Sequence, residues 1–346
     1  MYKVTLAMPV YNVEKYIERA LLSALNQTFD SIEYLLIDDR GSDNSISLAK
    51  DIIKNHPRGK DVRIIVHEVN IGTGATKNTA IDNAQGEFLY FMDSDDEITP
   101  DCISILYNKM LENPVDFVAA SHNVISSDEK IRDQVVFENC IIEKGEFEVA
   151  RSFYLKEKII TTYTWNKLYD LNFLRQNNIR CIFHHLNEDI FFTYQVILNA
   201  QSCRFLSDIV YSYYEAVEYS TMSKMRKPFT QKMAEQFEEI ISLKKDYSHN
   251  YRTYDFYPNL IKRIFLCYAM PFSISIYYSK LIDSKKKHTY ISNILKYPIF
   301  FKDMIFFKSK IHYIIFALSK LPTIYLKIFA CRLFLKISHL LNLKIV

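Results

Sequence analysis

The chain has 346 residues, 49% hydrophobic and 24% charged, enough apolar material for one large domain with an appendage or for two domains, and the composition excludes a disordered chain. Its formal charge of +3 hides an asymmetry: residues 280–346 hold 13 Lys or Arg and 2 Asp, a net of +11, which leaves −8 for the rest. The 6 cysteines lie far apart with no Cys-x-x-Cys pair, which suits neither a metal knuckle nor a disulfide framework and predicts reduced thiols.

The start, "MYKVTLAMPVYN", has no charged segment followed by a long apolar run, so no signal peptide is expected. Near the C-terminus the longest run free of Lys, Arg, Asp and Glu is 311–319, shorter than the roughly 20 apolar residues of a membrane span. The expectation is a protein that is soluble or lies on a membrane surface.

In chain order, "KVTLAMPV" (3–10) and "EYLLID" (33–38) read as short buried strands, each stopping at a polar cluster. Between them Ile17, Ala20, Leu21, Ala24 and Leu25 recur at helical spacing. A helix is predicted over 43–55, a strand over 62–68, and a loop "NIGTG" (70–74) leading into a helix over 75–84. The strand "EFLYFMD" (87–93) follows, Pro100 opens a further helix, and "VDFVAA" (115–120) ends the series as a strand. Repeated strand–helix–strand units predict a parallel sheet with helices on both faces, whose ligands sit beyond the carboxyl ends of the strands. Residues 121–215 are less regular, and from about 216 the pattern turns helical and basic.

Two acidic clusters fall at strand ends. Asp93, Ser94, Asp95 and Asp96 follow the apolar "LYFM" (89–92). Acids in that pattern either cap a helix or hold a hard dication, Mg²⁺ or Mn²⁺, whose other ligands are phosphate oxygens and water. A second pair, Asp38 and Asp39, at the same sheet edge favours the cation. Asp43 and Ser45 read as caps of the next helix, whereas one of Asp38 and Asp39 must point into the crevice. There it can accept from a uracil N–H or a ribose hydroxyl.

"PVYN" (9–12), "IDDRGSDNS" (37–45), "NIGTGATKN" (70–78), "YFMDSDD" (90–96) and "NEDIFF" (187–192) stand in the order and spacing of glycosyltransferase family 2, which residues 1–215 resemble. The resemblance implies a GT-A fold, an α/β architecture with a mostly parallel central sheet, and inverting transfer from a nucleotide sugar. It places Pro9, Val10 and Tyr11 on the base, Asp39 on the uracil beside Asp38, and Asp93 with Ser94 on the ribose. Asp95, with Asp93, would hold the metal, and Lys77 would neutralise phosphate. Two residues depart from the family pattern: Arg40 stands where glycine is usual, and Lys77 where many relatives carry Arg, whose planar fork binds phosphate differently.

Inverting transfer needs a base on the side opposite the leaving diphosphate, typically worth about 10²–10⁴-fold. The resemblance gives that role to Asp189, with Glu188 as the alternative, although both also stand where a helix start favours acids. His184 and His185 read as surface or packing residues, and Trp165 reads equally as core or as a platform for a sugar ring.

Residues 296–346 interleave lysines with aromatic and aliphatic runs, and Pro322 starts the last helix. Such helices lie in a lipid headgroup layer or pack against an acidic domain. Peripheral attachment to the inner face of the cell membrane is expected, and nucleic acid is not. The sequence therefore predicts a donor-binding half over 1–120, an acceptor and base half over 121–217, and a helical basic region over 218–346. The implied activity is a cytoplasmic UDP-hexose or UDP-N-acetylhexosamine transferase acting on a glycan or lipid-linked acceptor of a bacterial surface polysaccharide. Two rivals remain. One is a catalytically silent nucleotide-sugar binder serving as a membrane scaffold. The other is a phospho-acceptor signalling module, which needs a Lys ending a late strand, whereas Lys77 lies in a helical segment.

Overall fold

A computed structural model of the chain describes residues 2–156, 160–183, 185, 187–215, 228–298 and 311–340. They divide into two units, Met1–Ala150 with Ile160–Lys224, and Arg151–Ile159 with Met225–Val346.

The first unit is built on one sheet. Strands β1 (Val4–Val10), β2 (Ile32–Asp38), β3 (Val62–Val66) and β4 (Phe88–Phe91) form a parallel block in the order β3-β2-β1-β4. The sheet continues through β9 (Lys167–Asp170), β6 (Phe117–Ile125) and β10 (Cys203–Tyr214) to the two-residue β5 (Glu97–Ile98). β7 (Ile131–Val135) and β8 (Cys140–Ile142) pair with β6 and β10. Helices α1 (Ile17–Leu25), α2 (Ser45–Asn55), α3 (Thr73–Asn83) and α4 (Cys102–Glu112) alternate with the early strands. α5 (Glu148–Tyr154) marks where the chain first passes between units, and α6 (Leu171–Gln176) and α7 (Glu188–Asn199) follow.

All seven residues of β2 are buried, the mark of a strand covered on both faces. Val4, Leu6, Met8 and Val10 alternate onto one face, where they share a core with Leu21 and Ala24 of α1 and Ile103 and Leu106 of α4. On the other face Phe91 meets Phe192 of α7 edge-on at 6.0 Å.

The expected early elements are present, but the sheet is mixed rather than purely parallel. β9 runs antiparallel between β4 and β6, and it comes from the segment whose sequence looked irregular. The strand expected over 62–68 stops at Val66, because His67 turns toward Asp39. No helix follows the 93–96 cluster. β5 comes next, and α4 begins at Cys102 with Asp101 in its cap position. The helix-cap reading of Asp93 and Asp95 is thereby excluded. The cysteines are free thiols.

The described part of the second unit is helical: Gln231–Ser248, Tyr257–Arg263, Met270–Tyr278, Ser284–Ile294, Ile311–Ser319 and Ile324–Leu340. A π-helical turn, Ile264–Ala269, joins the second and third into one stretch. That stretch, Tyr257–Tyr278, is longer than 311–319 and long and apolar enough to cross a membrane; half of its most apolar window is buried.

Candidate active site

Parallel pairing puts the carboxyl ends of β1, β2 and β4 at one rim: Val10 lies opposite Asp38, and Ala7 opposite Phe91. The loops leaving β1 and β2 are latched together. Asn12 Oδ1 accepts from Ser42 N at 2.7 Å, Ser45 Oγ from Val13 N at 2.8 Å, and Asp43 Oδ2 from Glu14 N at 2.9 Å. A side chain at Gly41 would come within 2.9 Å of Asn12 N, so glycine is needed there for close approach. Arg40 has φ 59, the left-handed conformation that glycine adopts without cost. The departure at Arg40 thus keeps the loop geometry of glycine at a cost of about 1 kcal/mol. Arg40 N donates to Asp38 Oδ1 at 2.8 Å, which holds the turn in place.

Asp39 is 2% exposed. Its Oδ1 accepts from Ile71 N at 2.9 Å and His67 Nδ1 at 2.8 Å, and its Oδ2 from Gly72 N at 2.9 Å and Asn70 Nδ2 at 2.8 Å. Because a carboxylate only accepts, His67 carries its proton on Nδ1 here. Four donors fill the lone pairs of Asp39, which in this state buckles β2 to the loop before α3. Among the described residues the Asp38 carboxylate accepts only from Arg40 N. Tyr11 stands exposed at the rim beside buried Val10 and partly buried Pro9.

Across the rim, oxygens of Asp93, Asp95 and Asp96 lie within 4.8 Å of one another. Asp96 is already satisfied, accepting from Tyr211 Oη at 2.7 Å and Tyr214 N at 2.8 Å. Asp93 and Asp95 are half-buried, and among the described residues no side chain donates to their carboxylates. Burial pushes the Asp93 carboxyl up to about 7, Lys77 pulls it back, and Asp95 and Asp189 push it further. Asp95 is also raised, chiefly by burial. Two carboxylates crowded with open oxygens fit a hard dication, and Asp96 fits a supporting role. Arg19 steadies the turn by donating to the Asp95 carbonyl at 2.7 Å. Ser94 is buried beside them.

Lys77 joins this cluster to the second acidic pair. α3 packs closely on the segment before α7, since a side chain at Gly74 would fall 2.2 Å from Ile182 O. The Asn78 amide donates to Cys181 O and accepts from Cys181 N, both at 2.9 Å. This contact brings Lys77, 1% exposed, to 2.6 Å from Asp189 Oδ1 and 3.2 Å from Glu188 Oε1. Burial alone would lower the Lys77 ammonium; Asp189, Glu188 and Asp93 outweigh it and hold it well above its ordinary value. Burial, then Asp189, raises Glu188 to about 7 against the pull of Lys77. Lys77, expected on phosphate, is thus engaged with carboxylates in this state.

Trp165 is 2% exposed and stacks on Tyr163 and Tyr211 at 4.4 and 4.5 Å, so it belongs to the core. His185 is buried and accepts from Asn187 N at 3.3 Å, a local turn contact; His184 lies outside the described residues. His67, Arg19 and Tyr211 hold the site and carried no sequence signal, since each acts through a partner distant in the chain, whereas Asn70, which donates to Asp39, opens the "NIGTGATKN" motif. Lys167 also carried no sequence signal, although its partners are local: its buried ammonium donates to Thr161 Oγ1, Tyr163 O and Asn166 Oδ1 and is lowered by burial to about 7.

The family model for glycosyl transferase family 2 matches residues 5–179. The chain is similar to glycosyltransferase GlyA of Streptococcus pneumoniae serotype 4, 29% identical over 227 residues, covering 61% of this chain and 30% of that protein. It is also similar to the putative glycosyltransferase EpsH of Bacillus subtilis strain 168, 31% identical over 216 residues, covering 61% and 60%. The match spans less than two thirds of either relative. The fold matches Staphylococcus aureus TarS 1–349, solved in complex with UDP-GlcNAc, with a TM-score of 0.72 at 20% identity, over 98% of this chain and 92% of that one. The expected glycosyltransferase fold, a mostly parallel sheet with flanking helices and C-terminal helices, is therefore present.

Proposed function

The chain belongs to glycosyl transferase family 2, and from that premise we propose that it transfers a hexose or N-acetylhexosamine from a UDP donor to a glycan or lipid-linked acceptor, with inversion, in the synthesis of a bacterial surface polysaccharide. The observation that carries the reading is Lys77, which pairs at 2.6 Å with the acid expected to take the proton, Asp189, and whose charge also feels the acid expected on the donor side, Asp93. Donor, base and acceptor chemistry then share one rim.

Pro9, Val10, Tyr11 and Asp38 receive the nucleotide, and Asp39 shapes that pocket through its loop. Asp93 and Asp95 would hold Mn²⁺ or Mg²⁺, which would neutralise the diphosphate as it leaves. On the opposite side the acceptor hydroxyl attacks the anomeric carbon. Its proton passes to the Asp189 carboxylate, the bond to the diphosphate breaks, and UDP departs. Glu188, held near neutrality, is the alternative base. The half over 1–120 serves the donor, that over 121–217 the acceptor, and residues 218–346 attach the enzyme to the inner membrane face.

The silent-binder rival gains one observation: Lys77 occupies Asp189 at 2.6 Å. Release of UDP from UDP-sugars, with and without Mn²⁺ and an acceptor, decides between them. Turnover that falls in Asp95→Asn and Asp189→Asn supports transfer; binding without turnover supports the rival.

A further inference from the structure

Described residues of the second unit line an open cavity of about 920 Å³ that the catalytic reading leaves unused. Its wall carries four permanent cations, Arg252, Lys296, Lys320 and Lys327, and the buried Lys245, whose ammonium is lowered by burial to about 7, against two acids, Glu238 and Asp246. Both acids have local duties, since Glu238 accepts from Asn293 and Asp246 from Ser242. Lys245 is buried and donates to Asn293 O and Ile294 O at 3.1 and 2.6 Å, closing the end of the helix Ser284–Ile294. Among the described residues the other four cations make no ion pair. Like charges gathered on a concave wall focus a positive potential that an anion relieves. The volume is that of a ligand site and far exceeds a bare phosphate.

The helix Ile324–Leu340, which supplies Lys327, also carries an exposed ridge. Tyr325, Phe329 and Leu333, spaced i, i+4 and i+8, are 65, 57 and 47% exposed, while Ile328 and Cys331 are buried. An aromatic and aliphatic ridge on the helix that bears a cavity lysine is the pattern of a helix lying in a lipid interface.

We infer that the cavity receives the phosphate-bearing headgroup of an anionic lipid, with the ridge seated at the acyl boundary. The inference rests on the membrane-attachment reading above and adds a defined site to it. A soluble phosphate shares the headgroup chemistry; the neighbouring ridge favours the lipid.

The test uses the full chain, sedimented with phosphatidylcholine vesicles with or without phosphatidylglycerol. The cavity variant is Lys320→Glu/Lys327→Glu. The control is Lys285→Glu/Lys286→Glu, an equal charge change at exposed positions outside the cavity. The expected result is selective binding to phosphatidylglycerol vesicles, weakened at least about tenfold in the cavity variant and far less in the control. UDP-sugar hydrolysis should stay unchanged, which certifies folding. Equal losses in both variants, or none in either, would overturn the headgroup site while leaving membrane attachment standing. Failure of the unaltered chain to bind any vesicle would overturn both. Inorganic phosphate that raises the melting temperature of the unaltered chain alone, with no vesicle binding, would overturn the lipid assignment in favour of a soluble anion.

Discussion

Lys77 Nζ stands 2.6 Å from Asp189 Oδ1 and 3.2 Å from Glu188 Oε1, one buried cation serving two acids more than a hundred residues away in sequence. Each acid would be costly to bury alone. Lys77→Met should therefore lower unfolding stability by about 3–5 kcal/mol, read as a fall in the urea midpoint at unchanged slope. Lys77→Arg keeps the charge and should recover most of that loss.

The same contact sets a pH dependence. Glu188 moves from 4.5 to about 7 on folding, by burial first and Asp189 second. An acid with a raised folded value binds its proton more tightly folded. Its stabilising contribution is full below pH 4.5 and is lost as pH rises through about 7. The loss amounts to about 3 kcal/mol at most. Asp93, raised to about 7, adds to the trend in the same direction. Urea midpoints of chelator-treated protein should fall with rising pH across this window, and Glu188→Gln should flatten part of the slope.

The turn after β2 makes opposite predictions at adjacent positions. Arg40→Gly relieves a left-handed backbone but loosens the unfolded chain, so stability should change by less than about 1 kcal/mol. Gly41→Ala drives a methyl toward Asn12 N, 2.9 Å away, and the loop must open. Its donor KM should rise several-fold while Arg40→Gly leaves KM near the starting value.

Trp165 is the only tryptophan and is stacked in the core. Its fluorescence should report unfolding and stay constant through titration with donor or acceptor. Trp165→Ala should cost about 3–5 kcal/mol by leaving a cavity between tyrosines.

How much of this was readable depended on whether a residue acts with its neighbours or across the chain. β1, β2 and α1 announced themselves because apolar spacing and a polar stop are local signals, and their ends fell within a residue or so of expectation. The acid pairs were legible as strings. Their division of labour was not: Asp96 is taken by Tyr211, Asp39 by the loop over 67–72, and Asp93 and Asp95 stay open, all decided by pairings 28 to 118 residues apart. β9 escaped notice because four residues, Lys167–Asp170, carry too little alternation, and its place between β4 and β6 is a tertiary fact. Trp165 stayed ambiguous for the same reason, since only its stacking partners distinguish core from platform.

The central claim is that Asp93 and Asp95 grip a dication together with the diphosphate of the donor. Its most direct measurement is the Mn²⁺-dependent rate of UDP release from a UDP-sugar without acceptor, in the unaltered chain and in Asp95→Asn. The account predicts a rate that rises with Mn²⁺ in the first and falls by about a hundredfold or more in the second, the scale of a lost electrostatic contact at the leaving group. An Asp95→Asn enzyme with the full metal-dependent rate would contradict it.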